Sequence, residues 1–93
     1  SNGMSAVDWL VTGAGIFGFL GYIPQIVAMI RTRKIEGLNL LWLASGEVAL
    51  TVWLWYGVYL GNKNIIILYS IGFLLQSAVL FLLVKIRYFS SGK

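Results

Sequence analysis

Three long apolar stretches dominate this sequence: Val7 to Ile30, Leu40 to Leu60 and Ile65 to Val84. A bilayer core needs roughly 20 helical residues to cross it, and each stretch suffices. Backbone groups in lipid must be satisfied within the chain, so each stretch is predicted to be a transmembrane helix. The alternation of a membrane barrel is absent.

Composition supports lipid as the solvent. Only 11% of the 93 residues are charged and 59% are hydrophobic, whereas a soluble domain carries about 25% charged residues. Small domains expose much of their surface, and so few charges could not keep it solvated. There is no cysteine and no histidine, which removes disulfides, thiol chemistry and the usual zinc sites. With three acidic residues, a carboxylate metal cage is not expected, and no cofactor is. The formal charge of +4 does not point to nucleic acid. The basic residues flank the apolar stretches, as topology signals beside anionic membrane lipid do. Ser1-Asn2-Gly3 before Met4 reads as a cloning remnant and is set aside. One three-helix domain is expected over residues 4–88, with a short tail over 89–93.

The links are short. Arg31 to Gly37 joins the first two stretches, and Gly61-Asn62-Lys63-Asn64 joins the last two. Such links make sequential helices antiparallel. Arg31, Arg33 and Lys34 then share one end with Lys85, Arg87 and Lys93, against Lys63 alone at the other. The positive-inside rule predicts a multi-pass protein of the inner (plasma) membrane, its N-terminus outside and its C-terminus cytoplasmic. Trp9, Trp42, Tyr59 and Tyr88 fall near helix ends, where aromatic belts sit.

Several residues break the apolar pattern. Ala14, Gly18, Gly21 and Gln25 follow steps of four, three and four, a small-residue face predicted to meet protein rather than lipid. Pro24 removes a backbone donor and kinks or breaks the first helix; a static kink and a hinge are both open readings. Glu47 lies about two turns into the second helix. An intramembrane carboxylate costs at least ~2.5 kcal/mol and is a functional suspect, although a glutamate reaching the headgroups is the plainer reading. Trp53 and Tyr56 share a face, and Trp55 points elsewhere. Aromatic planes suit the C–H faces of a sugar ring, and indole N–H and phenol O–H donate hydrogen bonds. On the third helix, Tyr69, Gly72 and Gln76 form one polar stripe, with Ser70 and Ser77 beside it. Such a stripe is interhelical glue or the wall of a polar cavity. No enzyme constellation appears.

Gly21-Tyr22-Ile23-Pro24-Gln25 resembles the proline-glutamine motif of the PQ-loop families. The basic link from Arg31 to Asn39 and the block Val52-Trp53-Leu54-Trp55-Tyr56-Gly57 follow at spacings similar to those of bacterial SemiSWEET sugar transporters. The resemblance covers nearly the whole chain. It implies an all-α bundle of three transmembrane helices, two copies of which assemble as a parallel homodimer of six helices around a central cavity. SWEETs are known as parallel-repeat transporters with sites near the bilayer midplane.

The resemblance implies sugar transport by alternating access, as facilitated diffusion. Trp53 would bind the sugar, with Tyr69 or Ser70 on the third helix; Pro24 and Gln25 would be the hinge, and Tyr56 and Tyr22 gates. The expected partners are a sugar, membrane lipid and a second copy of the chain. Three departures stand out. Tyr69, or Ser70 with a one-residue shift, occupies the place of the family's third-helix asparagine. Glu47 stands at a usually apolar position, and Leu60 and Asn62 where relatives often have a charged outer-gate pair. Two other functions are open: a PQ-loop transporter of another metabolite, proton-coupled through Glu47, and a membrane scaffold that transports nothing.

Overall fold

The computed structural model describes residues 5–89. Ser1 to Met4 and residues 90–93, with Lys93 and most of the expected tail, lie outside the described residues. The described chain is helical apart from short links. The helices are α1 (Ala6–Leu20), α2 (Tyr22–Thr32), α3 (Leu40–Leu60) and α4 (Lys63–Val84), followed by a π-helical turn, Lys85–Phe89. Three segments are long and apolar enough to cross a membrane: Ala6–Thr32, Leu40–Leu60 and Lys63–Phe89. Even the shortest, 21 residues, is about 31 Å long at 1.5 Å per residue, close to a bilayer core.

The first segment is interrupted at Gly21, three residues before the proline. The reason is local. Pro24 has no N–H for the Leu20 carbonyl, and its ring crowds that same carbonyl. The chain therefore closes α1 with a tighter bond, Gly21 N–H to Gly18 O at 3.2 Å. Tyr22 then begins α2, so Pro24 falls in the first turn, where a missing N–H costs no intrahelical bond.

The link between α3 and α4 is shorter than the sequence suggests. Gly61 adopts φ 67°, the left-handed conformation that favours glycine. Asn62 N–H bonds back to Gly57 O at 2.9 Å and Gly61 N–H to Val58 O at 3.1 Å, a Schellman ending. Asn62 at once caps α4, its side chain accepting from Ile65 N–H at 3.1 Å. Lys63 and Asn64, expected in the link, are thus the first two residues of α4. At the other end, Asn39 caps α3 by accepting from Trp42 N–H at 2.8 Å.

The α4 helix is central, packing against α3 on one side and against α1 and α2 on the other. The Cα trace measures 58 × 23 × 15 Å, so the helices form a single layer. The buried core is small: Met29 of α2, Leu43 of α3 and Val79 and Leu83 of α4 meet near the basic end. Large apolar side chains such as Leu10, Phe17, Leu41, Leu74 and Phe81 are exposed, as lipid-facing residues are. Trp9, Trp42, Tyr59 and Tyr88 are also exposed at helix ends, which fits the aromatic belts.

The small-residue face of the first segment does not pack within the protomer. Ala14, Gly18 and Gly21 are exposed, and a Cβ on Gly18 would meet nothing within 4 Å. The face that packs on α4 carries Thr12, Gly15, Phe19 and Tyr22 instead. A Cβ on Gly15 would lie 2.6 Å from Leu68, and one on Gly72 of α4 would lie 2.5 Å from the Phe19 ring. In an evenly apolar helix, size periodicity alone does not rank the faces.

Candidate functional site

Close approach of α1 to α4 at Gly72 seats the Phe19 ring against the α4 backbone, and an aromatic chain runs from there in both directions. Phe19 stacks on Tyr22, with ring centroids 6.5 Å apart, and meets Tyr69 edge-on at 6.1 Å. Tyr69 stacks on Trp53 at 5.5 Å with the planes 17° apart. Trp53 meets Tyr56 edge-on at 5.9 Å. Both geometries are favoured for aromatic pairs. Five rings from three segments thus connect the break at Gly21 with the α3–α4 turn. Trp55 stands apart, stacked on Tyr59 at 5.4 Å.

Trp53 borders two cavities. One is an open groove of about 330 Å³ along α3, lined by Val52, Trp53, Trp55 and Tyr56. The other, of about 260 Å³, lies at the α3–α4 turn end between α1 and α4; Trp53 and Tyr69 line it together with Asp8, Thr12, Asn62 and Asn64. The first lies just inside the lower end of the size range usual for small-molecule sites, about 300 Å³, and the second just below it. Of the two third-helix candidates, Tyr69 lines this second cavity and Ser70 lines neither.

Asn64 was not singled out in the sequence. Buried in α4, it donates to the Asp8 carbonyl at 3.2 Å and to the Thr12 hydroxyl. Thr12 in turn donates to the Asp8 carbonyl at 2.8 Å. The signal was Gly61-Asn62, a helix stop followed by a helix cap, which puts Asn64 inside α4.

Nearer the basic end, the α4 stripe acts as interhelical glue. Gln76 accepts from the Tyr22 hydroxyl at 2.9 Å and donates to the Leu43 carbonyl at 2.9 Å, linking α2, α4 and α3. The absence of a side chain at Gly46 makes room for it: a Cβ there would lie 2.5 Å from Gln76 Nε2. Glu47 points at α4 rather than the headgroups. Its Oε2 accepts from the Ser77 hydroxyl, and its buried Oε1 has no partner among the described residues. Pro24 and Gln25 lie in the first turns of α2, Pro24 exposed and Gln25 half-buried.

These features define a small membrane protein of three spanning segments, with an aromatic chain and a polar network between its helices. Residues 5–89 match the family described as "Sugar efflux transporter for intercellular exchange", and the chain belongs to it, the SWEET/SemiSWEET family. The family is one of sugar transporters, not enzymes. No curated protein and no solved structure matches the chain.

Proposed function

We propose that the protein moves a mono- or disaccharide down its gradient by alternating access, as a parallel homodimer of six helices in the inner membrane. The observation that carries this is the Trp53–Tyr69 stack at the edge of a single helical layer. A layer 15 Å thick borders a sugar on one side only. A two-fold axis along the membrane normal would present each pocket residue twice, around one substrate. The exposed groove at Trp53 and Tyr56 and the open face at Gly18 are surfaces a second copy can cover. Cavities lined by aromatic and amide groups favour transport over a dry scaffold. The positive-inside rule would set the basic end in the cytoplasm and the α3–α4 turn outside. Tyr56 would then close the outer side and Tyr22 the inner.

The test is uptake of radiolabelled glucose and sucrose into liposomes holding the purified protein. Saturable uptake supports the reading. No uptake of either by a well-folded dimer would move the substrate to another metabolite.

The hinge reading of Pro24 carries its own prediction. Pro24→Ala restores an N–H opposite the Leu20 carbonyl and favours one continuous helix through Thr32. Uptake is expected to slow while thermal stability holds or rises, because Pro24 sits in a first turn where it breaks no intrahelical bond and alanine is tolerated there at least as well. Unchanged uptake would mean that the kink is static.

Glu47 supports a second reading, proton-coupled transport. A carboxylate inside the membrane with one oxygen unpartnered among the described residues is an expensive arrangement with a functional reason by default. Ser77 faces it from α4, and the nearby titratable group on α2 is Tyr22, held by Gln76 beside Gly46. Under this reading uptake changes with external pH, and Glu47→Gln abolishes that dependence. Uptake independent of pH in the unsubstituted protein would sink it.

A further inference from the structure

The cavity at the α3–α4 turn end has an asymmetric supply of polar groups. Both N–H groups of Asn64 are engaged, by the Asp8 carbonyl and the Thr12 hydroxyl, which leaves its carbonyl oxygen as an acceptor. Asp8 uses Oδ2 to accept from Ser5 N–H at 3.0 Å, and its other carboxylate oxygen accepts nothing among the described residues. Asn62 commits its oxygen to the Ile65 N–H and keeps its NH₂ free to donate. Among the described residues, Asp8 is the only charged one lining the cavity. Lys63, the one basic residue of this end, is exposed and does not line it. Trp53 and Tyr69, stacked on each other, also line it.

A mouth with one carboxylate, a committed amide and no cation among its described lining residues favours ligands that bring donors. We propose that Asp8 is a charge filter at this mouth: it admits neutral and amine-bearing sugars and rejects sugars carrying a carboxylate or phosphate. The proposal rests on the sugar-transport reading and adds the class of sugar. Neutral hydroxyls donate to Asp8 and Asn64 and accept from Asn62. A protonated amine gains a charge-assisted bond to Asp8. An anionic group meets a like charge with no basic side chain among the described lining residues to offset it.

The experiment is inhibition of radiolabelled glucose uptake into liposomes by unlabelled glucosamine and glucuronate, at a pH where the first is protonated and the second ionised. The readout is the ratio of the two inhibition constants. Glucosamine is expected to inhibit the better, and Asp8→Asn, which keeps an acceptor for the Ser5 N–H, should narrow the ratio at least roughly fivefold, the factor that one unit charge supplies at about 4 Å even in water. Asp8→Glu should preserve it. A readout independent of any substitution is salt, because screening should narrow the unsubstituted protein's ratio as ionic strength rises. A ratio equal in the two proteins, or insensitive to salt, overturns the filter while leaving Trp53-dependent glucose uptake standing. Absence of uptake of both radiolabelled glucose and radiolabelled sucrose overturns the filter and the sugar reading together.

Discussion

Trp53→Ala is expected to remove most saturable sugar uptake while leaving the protein folded. Trp53 is the one ring that borders both cavities, and it holds Tyr69 face to face and Tyr56 edge-on. Alanine removes the plane on which a sugar ring would lie and releases both tyrosines. An aromatic contact is worth about 0.5–1.5 kcal/mol beyond its area. Present twice in a dimer, it amounts to about 1–3 kcal/mol, roughly 5- to 150-fold in apparent affinity. The cost to the protomer's own packing is smaller, because Trp53 is 47% exposed in the single chain. Trp55→Ala is the comparison: the same deletion two residues away, in a side chain that lines the α3 groove but not the second cavity and is stacked on Tyr59. Concentration-dependent uptake by both variants, with a folded-state check by size exclusion, separates the outcomes. Equal uptake by Trp53→Ala and the unsubstituted protein would remove Trp53 from the pocket.

The spanning segments were legible because lipid admits so few backbone structures. Twenty apolar residues with basic ends have little choice but to be helical. The same apolarity hides the contacts. Every face of α1 is greasy, so the face that packs within the protomer, with Gly15 and Phe19, could not be told from the open one that carries Ala14 and Gly18. The pairings that build the site lie far apart in the chain, Glu47 with Ser77, Tyr22 with Gln76, Asn64 with Thr12, and no periodicity within one helix encodes them. Tyr69 is different. Its place in the resemblance pointed to it as one of two candidates, and the α4 register set by Asn62 turns Tyr69, not Ser70, toward Trp53. Glu47 was legible as an anomaly, but its direction depended on where α4 presents a hydroxyl.

The link from Tyr22 through Gln76 to the Leu43 carbonyl should restrain α2 from swinging at Gly21, and breaking it should expose the core at the basic end. Tyr22→Phe deletes only the hydroxyl, keeping the stack on Phe19. Interhelical hydrogen bonds in membrane proteins average about 0.6 kcal/mol and reach about 1.7, so the opened population should rise roughly 3- to 18-fold. Met29 is the place to read it. It is fully buried between α2, α3 and α4, beside Leu43, Val79 and Leu83, one turn from the end of α2. The chain has no cysteine, so Met29→Cys introduces a single thiol, reactive with a water-soluble maleimide only when α2 moves away. Labelling should be slow in Met29→Cys alone and faster by that factor when Tyr22→Phe is added. Because both proteins carry the same change at Met29, any loosening caused by the smaller side chain cancels in the comparison. Equal rates would mean that the bond does not restrain α2 and that closure at this end rests on the apolar core. A rise in labelling without a change in uptake would separate the swing of α2 from the rate-limiting step of transport.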